Sequence, residues 1–148
     1  MKSSIEYDYT SLIALDAMIN NSMKTIRGKK VLLSCDVAKI YHVSPDYLHK
    51  QVIKNINRFP KEFMFKLNLK ELALYKDEKF PYVFTEKGIL MVGGSLKNEQ
   101  AIKIHVQLIR YFFVLFNQAL KDVSLSEKLK NVTGGEEIFD VLKKMSKK

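Results

Sequence analysis

The residues able to do covalent or metal chemistry are few, and their spacing argues against most of it. Cys35 and His42 would form a thiol–imidazole pair, but a helix and a turn separate them, so Cys35 is expected to be a structural cysteine. His105 lies in an apolar helical pattern and reads as a hydrogen-bonded core or interface group. The carboxylates Glu86, Glu99, Glu136 and Glu137 fall at helix starts, where the helix dipole favours an anion. The chain has no phosphate-cradling glycine loop, no His-Glu-x-x-His and no nucleophile elbow. Its single cysteine excludes an internal disulfide and a cysteine-based zinc site. The expectation is a protein that is not an enzyme and needs no cofactor or metal.

What remains is charge. The 148 residues hold 25 Lys+Arg against 16 Asp+Glu, a formal net charge of +9. Between Lys24 and Lys70 there are eleven bases (Lys24, Arg27, Lys29, Lys30, Lys39, Lys50, Lys54, Arg58, Lys61, Lys66, Lys70) and three acids (Asp36, Asp46, Glu62). The remaining 14 bases and 13 acids nearly cancel. A solvated face mixes both signs, whereas a one-sign block within a folded segment suits a polyanion. Apolar residues make up 47%, enough for one folded domain. The start MKSSIEYDYT has no apolar core of a signal peptide, and Ile102–Leu120 is broken by Lys103, His105, Gln107 and Arg110. These features suggest a cytoplasmic protein with no membrane partner.

The elements that must position this charge can be read in order. Leu12, Leu15, Met18 and Ile19 share one helical face within an N-terminal extension, residues 1–22. In KTIRGKKVLL two β-prone runs flank Gly28-Lys29, a hairpin signal. Ser34 is expected to cap a helix over Cys35–Tyr41, and His42-Val43-Ser44 to form a tight turn. Ser44 with Pro45 and Asp46 then starts a second helix running to about Asn57. Glu62–Leu67 and Phe80–Phe84 read as strands, and Asn68 with Glu71 as a capping box for a helix over Leu69–Tyr75. Thr85 caps a helix ending at Gly93-Gly94, and Asn98 caps a long one to about Leu120. In that long helix Ile102, Val106, Ile109, Phe113 and Phe116 lie on one side and Ala101, Leu108, Phe112 and Leu115 on another. It is therefore central to a core or shared with a second copy of the chain. Residues 121–148 read as a linker and an amphipathic helix carrying Ile138, Val141, Leu142 and Met145.

The fold expected is α+β: a helix-turn-helix with flanking hairpin and strand elements, packed on a long C-terminal helix, the DNA-binding domain spanning residues 23–120. Ala38 is small where the two helices approach, Val43 plugs the turn, and Leu48, Val52, Ile56 and Phe59 form the buried stripe. The outward face then carries Asp46, Tyr47, His49, Lys50, Ile53, Lys54, Asn57 and Arg58, a set that suits both phosphates and base edges. With Arg27, Lys29, Lys30 and Lys61 beside it, the candidate DNA contacts are Arg27, Lys29, Lys30, Tyr47, His49, Lys50, Lys54, Asn57, Arg58 and Lys61. Lys66 is a further flanking cation.

Several blocks in order carry a family resemblance. IRGKKVLLSCDVAKIY, LHKQVIKNINRFPKEFMFKL, PYVFTEKGILMV and AIKIHVQLIRYFFVLF resemble the ORF-six-N-type DNA-binding domain, a phage and prophage family related to KilA-N and Bro-N domains. The most specific pieces are Ile26-Arg27-Gly28, Asn55-x-x-Arg58-Phe59-Pro60-x-x-Phe63-x-Phe65 and Phe84-Thr85-Glu86-x-Gly88. The resemblance implies sequence-specific binding of double-stranded DNA by a phage-type transcription regulator. A homodimer joined by the long helix or the C-terminal helix is the expected assembly. The alternative is an antirepressor-like module that binds another regulator.

Overall fold

The structure is a computed structural model and describes residues 9–120. The sequence-predicted helix over Ile138–Met145 lies outside the described residues. The chain divides into two compact units, Met1–Phe112 and Phe113–Lys148. The described part of the second is the end of one helix.

The first unit is α+β, as the patterning indicates. Helix α1 (Tyr9–Ser22) precedes strands β1 (Lys24–Ile26) and β2 (Lys29–Leu33), helices α2 (Ser34–Tyr41) and α3 (Pro45–Lys54), and a 3-10 turn at Ile56–Arg58. Then follow β3 (Met64–Lys66), α4 (Leu69–Leu72), β4 (Tyr82–Phe84), α5 (Glu86–Gly93) and α6 (Glu99–Leu120). The sheet has the order β1-β2-β4-β3 and is antiparallel throughout. Leu32 pairs with Phe84, and Phe84 in turn with Met64, so the centre of the sheet is apolar. Val31, Leu32, Val37, Tyr41, Leu48, Val83, Phe84, Ile89 and Leu108 are fully buried around it. The Tyr41 hydroxyl donates to the Ile89 carbonyl at 2.6 Å, which gives this buried phenol a partner and ties α2 to α5.

Local chemistry explains most boundaries. Ser44 Oγ accepts from the Tyr47 N–H, with Pro45 at the first helical position. Asn68 and Glu71 complete a reciprocal capping box, Thr85 caps α5, and Asn98 Oδ1 accepts from the Ala101 N–H at 2.7 Å. His42 ends α2 in the left-handed region (φ 55, ψ 43), the conformation that closes a helix when glycine is absent.

Several expectations are corrected. The hairpin turn is Arg27-Gly28, not Gly28-Lys29: Ile26 pairs with Lys29, and both turn residues have positive φ, 53 and 73. That is the two-residue turn whose twist matches the strands. Ser34 is the first residue of α2 rather than its cap, and its Oγ is buried without a partner among the described residues. Helix α3 stops at Lys54 because Asn55 Nδ2 turns back to the Gln51 carbonyl, 2.8 Å away, and a 3-10 turn follows. That change of period rotates Ile56 outward to 43% exposure, while Gln51 is buried instead. Met18 points off the buried side of α1, which consists of Leu12, Leu15 and Ile19. Strands β3 and β4 and helix α4 are each shorter than the apolar runs that contain them. Along α6, Ala101 and Leu108 are buried, Phe112 is half-buried, and Ile102, Val106, Ile109, Phe113, Leu115 and Phe116 are exposed.

Candidate nucleic-acid interface

Helices α2 and α3 are joined by the turn at His42. Ala38, Leu48 and Val52 are buried and Val43 half-buried. The opposite side of α3 presents Asp46, Lys50, Ile53 and Lys54 to solvent, and the 3-10 turn adds exposed Asn57 and Arg58. Asp46 is the acid on that face, and Lys79 Nζ lies 2.7 Å from its Oδ1. Lys50, Lys54 and Arg58 have no carboxylate partner among the described residues.

Two predicted contacts form the edges of this face instead of its middle. Tyr47 is half-buried, and its hydroxyl accepts from the Lys97 N–H at 3.2 Å. His49 stacks on Phe80, centroids 4.0 Å apart and planes 11° from parallel, and lies 5.8 Å from the Tyr82 ring. Helix α3 is thus held along one flank by aromatic packing from the segment before β4.

A second cationic cluster sits where the β1–β2 hairpin tip meets β3. A groove of about 500 Å³ there has Met64, Phe65 and Tyr82 in its lining and Arg27, Lys29, Lys61 and Lys66 around them. Arg27 is not free. Its Nε donates to Glu71 Oε2 at 2.9 Å, its Nη2 donates to Glu71 Oε1 and to the Lys66 carbonyl, and its guanidinium carbon lies 5.0 Å from the Phe65 ring centroid. The fork-to-carboxylate bonds raise the guanidinium pKa further and hold the Glu71 carboxyl below its ordinary value. Arg27 therefore fixes the hairpin tip more than it offers a charge. Lys29 Nζ lies 5.8 Å from the same ring, while Lys61 and Lys66 are exposed and lack carboxylate partners among the described residues. Lys30, next along β2, is exposed and shares a second depression with Lys29 and Lys87 and with the acids Glu62 and Glu86.

The predicted residues thus fall into two groups. Lys50, Lys54, Asn57 and Arg58 belong to α3 and its following turn; Arg27, Lys29 and Lys61 converge on the hairpin groove, with Lys30 alongside. Tyr82 connects the groups, since it approaches His49 and also lines the groove. Sequence reading missed Phe65, Phe80 and Tyr82, because apolar residues in strand patterns carry no mark of a surface role.

The support beneath α2 is a buried acid. Glu78 is 8% exposed; its Oε2 accepts from the Cys35 N–H at 3.1 Å and its Oε1 from the Phe80 N–H at 3.3 Å. It caps a helix start that Ser34 leaves open. Burial, then the hydrogen bond and charge of Glu78, push the Cys35 thiol up to about 12, so it is an inert structural cysteine. Among the described residues no cluster of His, Cys, Asp and Glu could hold a metal ion, and no helix is long and apolar enough to cross a membrane.

The model of the ORF6N domain matches residues 21–95, half of the chain. The chain belongs to the ORF6N domain family. No curated protein and no solved structure matches it significantly. The ORF6N match begins just before the hairpin and ends just after α5, so it contains both cationic groups and the Glu78 support. Two runs within the matched residues coincide with structural devices. Arg27-Gly28 is the hairpin turn, and Phe84-Thr85-Glu86-x-Gly88 is the strand end, cap and close approach that start α5.

Proposed function

We propose that this ORF6N protein binds double-stranded DNA, without catalysing a reaction, with α3 in the major groove and the hairpin side against the phosphates. The observation that carries this is the exposed side of α3: Lys50 and Lys54, followed by Asn57 and Arg58, have no carboxylate partner among the described residues, and the acid there is already paired with Lys79. Cations read phosphates and G edges, and an amide reads adenine. A phage-type regulatory role, as the family resemblance implies, accords with this reading.

The test is salt-dependent binding to duplex DNA. Phosphate contacts from five of the exposed cations, Lys29, Lys50, Lys54, Arg58 and Lys61, give a log–log slope of about −4.5, or roughly 500-fold loss of affinity from about 0.05 to 0.2 M salt. Replacing Lys50, Lys54 and Arg58 by Ala lowers the slope to about −1.8 and the loss to roughly twelve-fold. A triple variant with unchanged affinity and slope would refute the assignment of α3.

A second reading, a protein-binding module of antirepressor type, is favoured by the apolar stripe Ile102, Val106 and Ile109, each 41–48% exposed on α6. A homodimer through this stripe would serve either reading. The solution mass of the chain, compared with that of Ile109→Glu, decides whether the stripe joins two copies.

A further inference from the structure

We infer that the loop between α5 and α6, residues 94–98, is a further phosphate contact for duplex DNA, with Lys97 as its cation. The inference rests on the reading of α3 as the helix that enters the major groove, and it adds a flank to that helix. Lys97 lies outside the basic block Lys24–Lys70, so charge counting along the chain passes over it.

Helix α3 has two unlike edges. Tyr47, Lys50 and Lys54 follow one another at i, i+3 and i+7 and share one edge. Asp46, His49 and Ile53 share the other at the same spacing. That second edge is occupied by the protein itself: Lys79 pairs with Asp46, and Phe80 stacks on His49. Residues 94–97 run beside the first edge. At one end the Lys97 N–H donates to the Tyr47 hydroxyl at 3.2 Å. At the other, a Cβ at Gly94 would lie 3.9 Å from Arg58 Nη1. The path between is held from beneath. Ser95 and Leu96 are buried, and the N–H groups of Gly94, Ser95 and Leu96 donate to the Met91, Val92 and Gly93 carbonyls. Lys97 follows directly, exposed and with no carboxylate partner among the described residues.

A major groove about 12 Å wide holds one helix between two phosphate strands. An element seated along one edge of that helix meets the strand on that side, and a cation there positions the protein without reading bases. Lys97 thus extends the cationic edge of Lys50, Lys54 and Arg58 onto the neighbouring loop.

The experiment is fluorescence anisotropy of the full chain with two labelled duplexes of unrelated sequence, about 20 base pairs each, over about 0.05–0.2 M salt. Lys97→Ala keeps the backbone N–H that binds Tyr47. It should make the log–log slope shallower by about 0.9 and weaken binding roughly eight-fold at about 0.1 M salt, by the same factor on both duplexes. Lys97→Arg should restore slope and affinity. Lys103→Ala removes the same charge from the side of α6 opposite buried Ala101 and Leu108, and should leave the slope in place. A wild-type slope in Lys97→Ala, beside a slope lost in the Lys50, Lys54 and Arg58 triple variant, would overturn the inference and leave α3 in the groove. Equal changes in Lys97→Ala and Lys103→Ala would overturn it as an effect of net charge. A triple variant of unchanged slope would remove the reading of α3 and this inference with it.

Discussion

Gly88 lies in the run Phe84-Thr85-Glu86-x-Gly88, and a single methyl group there tests why that run exists. A Cβ at Gly88 would lie 2.8 Å from the Phe63 carbonyl carbon and closer still to its oxygen. Those are backbone atoms and cannot swing aside. The same oxygen accepts from the Thr85 N–H at 3.0 Å and from Thr85 Oγ1 at 3.2 Å, the bonds that seat the start of α5 beside β3. Relieving the clash costs these two bonds, about 1 kcal/mol each. Overpacking strain adds about 1–3 kcal/mol, and the better helix propensity of alanine returns about 1 kcal/mol. Gly88→Ala should therefore destabilise the protein by about 3 kcal/mol, a fall in melting temperature of roughly 5–10 °C by thermal or urea unfolding. Gly94→Ala is the control. There a Cβ meets the Met91 carbonyl oxygen at 3.5 Å, an ordinary contact, and φ is −69, so stability should stay within about 0.5 kcal/mol or rise slightly. If Gly88→Ala behaved like Gly94→Ala, the close approach of α5 to β3 would not be what this glycine serves.

Other consequences can be measured on the same protein. Glu71 titrates below its ordinary value of 4.5 when folded, so the Arg27–Glu71 contact stabilises above that value, and the contribution disappears as pH falls through the lowered one. The urea midpoints of wild type and Glu71→Gln should therefore differ at about pH 7 and converge as the pH falls through the folded-state titration of Glu71, the difference being small because the pair is exposed. Cys35 should react with iodoacetamide on the order of a thousand-fold more slowly in the native protein than in urea at about pH 8, because its thiolate fraction is reduced by that factor. A native rate close to the unfolded one would contradict its burial beside Glu78. Glu78→Ala should cost about 1–3 kcal/mol by leaving the Cys35 and Phe80 N–H groups without their acceptor, and should weaken duplex binding through loss of the Phe80 seat for His49.

What the sequence made legible was chemistry that closes within three or four residues. Ser44 with Tyr47, Asn68 with Glu71, Thr85 with Gly88 and Asn98 with Ala101 each join a side chain to a nearby backbone group, and each cap was readable from residue type alone. Ser34 has the same residue type and no such role, because its helix start is served by Glu78, 44 positions further on. Arg27 reads as a free cation until its carboxylate partner, equally distant in the chain, is brought to it. The phase error at Ile56 has a different origin. Helical counting from Leu48 and Val52 places Ile56 inside, but Asn55 ends the helix first and the 3-10 turn changes the period. Of the interface, the cations on α3 were legible because exposure follows from the buried stripe. The aromatic part of the groove was not, since burial and stacking call for the same residues.

One short segment accounts for why the free cations stay free. Between Glu71 and Phe80 the chain touches the hairpin tip, the start of α2 and α3. Glu71 holds the hairpin tip through Arg27, Glu78 caps α2, Lys79 pairs with the acid of α3, and Phe80 seats His49. Two of the acids here are engaged with the protein itself, Glu71 on an arginine and Glu78 on backbone N–H groups, so neither neutralises Lys29, Lys50, Lys54 or Lys61. A lysine from the same segment, meanwhile, covers the carboxylate of Asp46. The exposed ion pairs contribute little stability individually. Their effect is on the sign and placement of surface charge: they engage Glu71 beside the hairpin tip and Asp46 on α3. A basic surplus that is nearly all in Lys24–Lys70 thereby becomes two oriented groups of cations.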